Sequence, residues 1–337
     1  MVVHVDSLRY IPAQTLLAKF YAAFVVPADP GLRASIVIHL GDFRPKLRHR
    51  YLVDESFHVE KGKVFATYAH KIARWEVEAS GLEQDALSLS ISGNVFSYLV
   101  FPYETIHQFL IFKLGQEGAA FLHALGVSKG GKGQLVIGRS GIGKSLLAGK
   151  FLRDGYRLLG DDSVFVTSDG HIHGFPLPLG IRSLAVSFKD FGFQLTASDR
   201  IFLALVKGIK WVTLGRIGLL FKVSADRLGQ ERLVRDAVLE TAVFGLPSEK
   251  LEIVDPGNME AFLDRIAANS RFENVILSKL IEAYTYIFPD SPVGHFWENQ
   301  RVVIRTALSR SRSLLAYIPS RLNEDHYQSM KKELEHG

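Results

Sequence analysis

Apolar and polar residues alternate along several short segments in the first third of the chain. The alternation runs through Trp75–Ala79 and Leu87–Ser92, and two further strand candidates, Phe57–Glu60 and Val64–Ala69, flank a turn at Lys61–Lys63. A strand with this period buries one face, and two strands joined by a short turn with glycine form a hairpin. The pattern predicts a β-rich, antiparallel N-terminal domain over residues 1–115, which faces a substrate or joins copies of the chain.

Two further segments of this region carry their own signals. The turn Gly93–Asn94 is followed by Val95–Phe101, whose apolar and aromatic residues predict another strand. Apolar residues then recur at every fourth position over Tyr103–Gly115, which predicts a helix at the end of the domain.

The second part of the chain, residues 116–337, mixes strand and helix patterns. Leu135–Ile137 has the length and composition of a short buried strand, and the helical pattern that follows it ends near Gly155. Helical periodicity returns over Glu260–Phe288, whereas the charged tail from Asn323 has the composition of a frayed helix. These elements predict an α/β domain with a helical C-terminal part.

The strongest motif of the sequence lies between that strand and that helix. Residues Gly138–Ser145 read GRSGIGKS, a full match to the phosphate-binding pattern G-x-x-x-x-G-K-[ST]. In this pattern backbone N–H groups and the positive end of the helix attract a polyphosphate, the lysine reaches the outer phosphates, and the hydroxyl ligates Mg²⁺. The alternative is a glycine-rich turn without a ligand. The residues predicted to contact a nucleotide are Gly138, Ser140, Gly141, Ile142, Gly143, Lys144, Ser145 and Leu146.

Two adjacent carboxylates, Asp161 and Asp162, follow a partly apolar stretch at the point where a strand would end. Carboxylates at a strand end beside a phosphate-binding loop can hold Mg²⁺ and accept the proton of an attacking hydroxyl. We therefore predict that the pair supplies a metal contact and a base. The sequence does not assign the two roles, and a polar turn is the alternative.

Several elements of this region resemble the HPr kinase/phosphorylase family. They are His123, the GRSGIGKS loop, the helix that ends at Gly155, and the sequence RLLGDD at 157–162. The resemblance covers roughly residues 120–190, about a fifth of the chain.

The spacing of these elements matches the family pattern as well. His123 lies fifteen residues before Gly138, and Asp161 lies seventeen residues beyond Lys144. Three elements at matched spacing are a more specific signal than the phosphate-binding loop alone.

The resemblance implies a P-loop kinase core of the HPr kinase and phosphoenolpyruvate carboxykinase type over residues 116–337. It implies transfer of the γ-phosphoryl group of ATP, with Mg²⁺, to a serine hydroxyl. Lys144 and Ser145 would bind phosphate and Mg²⁺, and the aspartate pair would supply the base and a second metal contact. His123 would lie near the transferred phosphoryl group, with a buried core histidine as the alternative.

One family signature is missing from this chain. Downstream of the aspartates the family has a Glu-x-x-Gly-x-Gly segment, where this chain has Pro178–Leu184 without such a glutamate. Arg182 in this segment is a candidate phosphate clamp for the substrate, with a structural arginine as the alternative.

The missing signature argues against HPr as the acceptor. The expected acceptor is instead a serine of another peptide or small protein, for example a lasso-peptide precursor. Two alternatives stay open: a kinase of free serine or another small alcohol, and a regulatory protein that binds nucleotide and hydrolyses it slowly.

Composition and charge argue against several other classes. The formal net charge of +5 over 337 residues is weaker than nucleic-acid-binding proteins usually show, so we expect no nucleic-acid partner. The absence of cysteine excludes disulfides, thiol catalysis and cysteine-ligated metals. Without an apolar run of membrane-spanning length or a signal-peptide layout, we expect a cytoplasmic protein with no membrane span. A homo-oligomer is expected by analogy with the family.

Overall fold

The computed structural model describes residues 1–6, 11–26, 31, 33–45, 51–54, 56–181, 191–192, 196–197, 199–201, 203–204 and 221–335. The chain divides into two compact units, each built from two stretches of sequence. The first unit combines Met1–Phe121 with Ser270–Val303, and the second combines Leu122–Asn269 with Ile304–Gly337. Neither unit is therefore a continuous segment of the chain.

A seven-stranded sheet forms the β structure of the first unit. Its strands are β1 (Val3–Asp6), β2 (Ile36–Leu40), β3 (Tyr51–Asp54), β4 (Phe57–Glu60), β5 (Lys63–His70), β6 (Ala73–Ser80) and β7 (Leu87–Gly93). They lie across the sheet in the order β1-β2-β7-β6-β5-β4-β3. In β7 the side chains of Leu87, Leu89 and Ile91 are buried and the serines between them are partly exposed, as the alternation predicted.

The sheet is mixed, so the prediction of an antiparallel domain is wrong at one edge. The strands from β3 to β7 pair antiparallel with their sequence neighbours, but β1 runs parallel to β2, and β2 runs parallel to β7. Alternation reports which face of a strand is buried and not the direction of the strand beside it. The sequence pattern therefore could not distinguish the two arrangements.

The hairpin predicted around Lys61–Lys63 is confirmed by the pairing of β4 with β5, but Val95–Phe101 is not a strand. Val95–Leu99 instead forms a 3-10 helix that begins at Asn94. The side-chain oxygen of Asn94 accepts a hydrogen bond from the backbone N–H of Ser97 at 3.2 Å. Asparagine is a strong helix-capping residue, and here its cap outweighs the β propensity of the residues that follow.

The helices that the structure describes lie in both halves of the sequence. They are α1 (Ile11–Phe20), α2 (His107–Gln116), α3 (Lys144–Arg153), α4 (Met259–Glu273), α5 (Val275–Ile287), α6 (Phe296–Leu308) and α7 (Glu324–Glu335). A π-helical turn over Pro102–Ile106 leads into α2, and α4 and α5 account for the helical pattern over Glu260–Phe288. None of the helices in the described part of the chain combines the length and the apolar character needed to span a membrane.

The second unit contains a larger mixed sheet. After β8 (Ala119–Leu122), its strands are β9 (Ala124–Lys129), β10 (Lys132–Ile137), β11 (Arg157–Gly160), β12 (Val164–Thr167), β13 (His171–Gly174), β16 (Asp236–Ser248), β17 (Glu252–Val254) and β18 (Arg312–Pro319). A separate antiparallel pair joins β14 (Leu179–Ile181) to β15 (Phe221–Val223).

The long strand β16 lies at the centre of this sheet, where the order is β11-β9-β10-β16-β13-β12. One edge of β16 pairs in parallel with β10, and its other edge pairs first with β13 and then, from Thr241 onward, in parallel with β18. The protein is therefore a mixed α/β protein with two mixed sheets.

Helix α3 packs on this sheet through its apolar side. Leu147 and Phe151 of α3 join Leu125 and Val127 of β9 and Val136 of β10 in one buried cluster. The strand before the GRSGIGKS loop and the helix after it are thus confirmed, and both ends of the loop are fixed in the core.

Helix α7 is packed into the same cluster, so the expectation of a frayed tail is wrong. Tyr327, Met330 and Leu334 are buried there, at the spacing that places them on one helical face. The high charge of the tail hides these three apolar positions from a reading of its composition.

Polar contacts fix both ends of α7. At its start Glu324 pairs with Lys150 and Arg153 of α3. At its end the carbonyl oxygen of Leu334 accepts a hydrogen bond from Gln134 Nε2 at 3.0 Å, and that of Glu333 accepts one from the Arg312 guanidinium at 2.7 Å. These contacts supply partners for carbonyl groups that a helix C-terminus leaves open.

We expect Met330→Ala to lower the free energy of unfolding by about 2–4 kcal/mol, because it leaves a cavity in a packed cluster. Ser329→Ala, at the adjacent exposed position of α7, should change it by less than about 0.5 kcal/mol. Urea unfolding followed by circular dichroism measures both values. Equal, small effects of the two substitutions would mean that the helix is frayed.

Candidate functional site

The GRSGIGKS loop runs from the buried end of β10 to the start of α3. Ser140 and Gly141 lie exposed on the loop, whereas Ile142 and Leu146 pack against the hydrophobic cluster beneath it. The side chains of Ile142 and Leu146 therefore support the loop from the core. Any contact of these two residues with a nucleotide would come from their backbone.

Gly143 sets the turn from the loop into α3. Its φ of 100° lies in the left-handed region, which glycine adopts without the strain that other residues incur. There is also no room for a side chain, because an added Cβ would lie 2.6 Å from Cδ1 of Leu322. Both the backbone conformation and the contact with Leu322 require glycine here.

The side chain of Lys144 folds back over the loop. Its Nζ donates hydrogen bonds to the carbonyl oxygens of Gly138 at 2.7 Å and Arg139 at 3.2 Å, and the residue is buried. The loop thus encloses an ammonium group at the N-terminal, positive end of a helix. This combination attracts an anion such as a phosphate group.

Asp161 follows β11 at a tight turn. Between Leu158 and Gly160 the register of β11 against β9 shifts, and Gly160 lies opposite Gly126. A Cβ added to Gly160 would overlap the carbonyl oxygen of Ser163, so the turn requires glycine at this position. The bulge and the turn together direct the next side chain toward the start of α3.

The carboxylate of Asp161 is buried and held by one contact. Its Oδ2 accepts a hydrogen bond from Ser145 Oγ at 2.7 Å, and its buried Oδ1 has no hydrogen-bond partner among the residues that the structure describes. Burial, and secondly the charge of Asp162, raises the pKa of Asp161 to about 7, against the lowering effects of Ser145 and Lys144.

Asp162 lies beside Asp161 but in a different environment. Its side chain is 44% exposed, and its Oδ1 is 3.8 Å from His123 Nε2 and 3.9 Å from Lys144 Nζ. His123, the residue that separates β8 from β9 in the sequence, is buried, and its carbonyl oxygen accepts a hydrogen bond from the N–H of Gly138 at 3.4 Å. The structure therefore brings together His123, the loop and both aspartates.

The residues present fit a magnesium ion bound with a nucleotide. Ser145 Oγ and the Asp161 carboxylate are oxygen ligands of the kind that Mg²⁺ prefers and contact each other, and the buried Asp161 Oδ1 accepts no hydrogen bond from the described residues. Among the described residues no group of three or more His, Asp or Glu side chains could hold a metal ion. The arrangement instead suits Mg²⁺, which commonly takes one or two protein ligands and completes its shell with water and phosphate.

Not every predicted site residue can be placed. Arg182 lies outside the described residues, so its role as a phosphate clamp stays a prediction. Conversely, sequence reasoning missed Gly160 and Leu322 as supports of the site. The glycine before the aspartate pair was a visible signal, whereas a single leucine at the start of a charged tail carries none.

The chain was compared with protein families, curated proteins and solved structures. No family model matches the chain, and no curated protein matches it. One solved structure that matches is that of the Hpr(Ser) kinase/phosphatase from Coxiella burnetii, which is 19% identical. The match covers 41% of this chain and 72% of that chain, with a TM-score of 0.23.

The raised pKa of Asp161 predicts how stability varies with pH. The folded protein holds this proton with a pKa of about 7, against about 4 in an unfolded chain. The contribution of the Asp161 proton to the free energy of unfolding is therefore complete below a pH of about 4. It is lost as the pH rises through 7. We expect Asp161→Asn, measured with EDTA present, to be more stable than the wild type by about 2–4 kcal/mol at a pH of about 8, and to lose this advantage toward a pH of about 4.

Asp162→Asn is the matched control for this experiment. It leaves the Asp161 carboxyl group buried, so the pH dependence should persist, with a smaller amplitude because the charge of Asp162 contributes to the raised pKa. The raised pKa of Asp161 would be contradicted if the unfolding free energies of the wild type and Asp161→Asn ran parallel across this pH range.

Proposed function

We propose that this protein is a phosphotransferase that moves the γ-phosphoryl group of ATP to the hydroxyl of a serine in a peptide or small protein. One observation carries the proposal. The hydroxyl of Ser145 contacts Asp161, and Asp162 lies within 4 Å of both Lys144 and His123, all at the start of the helix that follows the loop. A protein that only binds nucleotide has no need of the second carboxylate.

The geometry favours different roles for the two aspartates. Asp161 is buried against Ser145, the residue that ligates Mg²⁺ in this type of loop, so we assign it to the metal. When bound, Mg²⁺ would neutralise charge on the phosphate oxygens. Lys144 would leave the loop carbonyl groups that it now contacts and donate to the outer phosphates instead.

Asp162 is assigned as the general base. The side chain of Asp162 is exposed enough for an acceptor hydroxyl to reach it, whereas Asp161 is buried. Its carboxylate would take the proton of the serine hydroxyl as that oxygen attacks the γ-phosphorus and the bond to the β-phosphate oxygen breaks. His123, 3.8 Å from Asp162, would orient this carboxylate or neutralise a phosphate oxygen.

The choice of acceptor rests on the motif resemblance and its departure at Pro178–Leu184, where the family glutamate is missing. Serine is the acceptor type that the resemblance implies, and the missing signature favours a peptide other than HPr, such as a lasso-peptide precursor.

We expect Asp162→Asn to lower kcat by about 10²–10⁴-fold and to leave the Kd for nucleotide nearly unchanged, because only the proton acceptor is lost. Asp161→Asn should instead raise the Mg²⁺ concentration needed for half-maximal rate. Transfer of label from γ-labelled ATP and fluorescent-nucleotide binding measure these effects. Wild-type transfer rates in both variants would overturn the assignment.

The acceptor itself is tested with the wild-type protein and γ-labelled ATP. Serine-containing peptides, free serine and small alcohols are offered separately. Label in a peptide supports the proposed function, and label in free serine or an alcohol identifies a small-molecule kinase. Label only in inorganic phosphate, or nowhere, favours a nucleotide-dependent regulatory protein.

A further inference from the structure

The first compact unit contains a cavity that the phosphotransfer chemistry does not use. It has a volume of about 550 Å³, within the range of pockets that hold small ligands. Its lining comes from the last turns of α2, the turn between β6 and β7, the segment before β2 and the residues around the start of α6.

Lys113 of α2 is the unusual residue of this cavity. It is 4% exposed, and within the described part of the chain its Nζ donates to two uncharged oxygens, Gln84 O and Gln116 Oε1, both at the long distance of 3.4 Å. The Gln116 amide is held in place by its hydrogen bond to the carbonyl oxygen of Leu82 at 2.7 Å. No described carboxylate lies within ion-pair distance of this ammonium group.

The other buried lysines of the described residues differ in this respect. Lys150 pairs with Glu324, and Lys144 lies 3.9 Å from Asp162. A buried cation without an anionic partner is costly, because burial removes its hydration without replacing it. The uncompensated charge of Lys113, on the wall of a cavity, is what a bound anion would neutralise.

The remaining charges of the lining restrict the charge of that anion. Arg33 adds a second cation, while Glu83, Asp85 and Glu117 add three carboxylates. The hydroxyl groups of Tyr284 and Ser291 donate hydrogen bonds to Glu83 at 2.8 and 2.6 Å. The carboxylate of Glu117 lies 3.8 Å from the backbone amine of Met1. With two cations and three carboxylates the lining has a formal charge of −1, so it opposes a dianion such as phosphate more strongly than a single negative charge placed next to Lys113.

The lining also has an apolar part. Phe112, Val293 and Phe296 are buried and contribute to the cavity, and the rings of Phe112 and Phe296 stack with centroids 5.5 Å apart. A ligand that fits both parts has one carboxylate and an apolar body.

We propose that this cavity binds a small organic monocarboxylate, with Lys113 as the partner of its carboxylate and the Phe112–Phe296 surface against its apolar body. Two classes of compound combine one carboxylate with an apolar body, namely apolar amino acids and simple carboxylic acids. They differ in the ammonium group, which the carboxylates of the lining would recognise.

The test measures binding to the full chain by calorimetry and by ligand-observed NMR. The probes are 4-methylpentanoate, phenylacetate, leucine, the uncharged 4-methylpentanamide and inorganic phosphate. We expect a carboxylate probe to bind, and Lys113→Met to weaken it by at least about tenfold, since a charge-assisted hydrogen bond is lost. Lys63→Met, in the same unit but outside the cavity lining, should bind as the wild type does.

The substitution at Lys113 is expected to leave the protein folded, because an apolar residue of similar length replaces an uncompensated cation. Its thermal midpoint should equal or exceed that of the wild type, which separates lost binding from lost structure. Tighter binding of leucine than of 4-methylpentanoate supports the proposal with an amino acid as ligand, and the reverse supports it with a carboxylic acid. Binding of the amide or of phosphate as tight as that of the carboxylates would overturn it, as would no carboxylate binding at about 10 mM or unchanged affinity in folded Lys113→Met.

Discussion

The candidate site depends on one buried carboxylate held by one hydroxyl group. Asp161 is buried, and its contact with Ser145 links the turn after β11 to the first turn of α3. Since a buried charge is costly unless it is compensated, its neighbours are closely constrained. Three features bring that carboxylate to the helix: the bulge of β11, Gly160 before the aspartate pair, and Gly126 opposite it in β9.

The other side of the loop is supported from a distant part of the sequence. Leu322 fills the space beside Gly143, and α7 follows directly, anchored by Glu324 to α3 and by its buried face to the core. The loop conformation therefore rests on the sheet, on the aspartate turn and on the C-terminal helix. This explains how a segment rich in glycine can hold a defined shape around the ammonium group of Lys144.

The local structure of the candidate site was predictable from the sequence, and the long-range pairing of strands and helices was not. The motif GRSGIGKS predicts a loop between a strand and a helix, and the structure has that loop, with His123 and the aspartate pair beside it. The parallel pairing of β2 with β7 depends on the path of the intervening strands, which alternation does not report. The helix at Val95–Leu99 depends on the single cap at Asn94. The packing of α7 depends on three apolar residues within a charged tail.

The composition of each unit from two separate stretches of chain has a consequence for synthesis. The hydroxyl of Tyr284 accepts a hydrogen bond from the N–H of Gly62 and donates one to Glu83, so the first unit needs residues that the ribosome makes only after most of the second unit. The second unit in turn waits for β18 and α7. Domains usually fold in the order in which they emerge from the ribosome. Here the residues that complete both units are made late, and neither unit can be obtained intact by cutting the chain at one point.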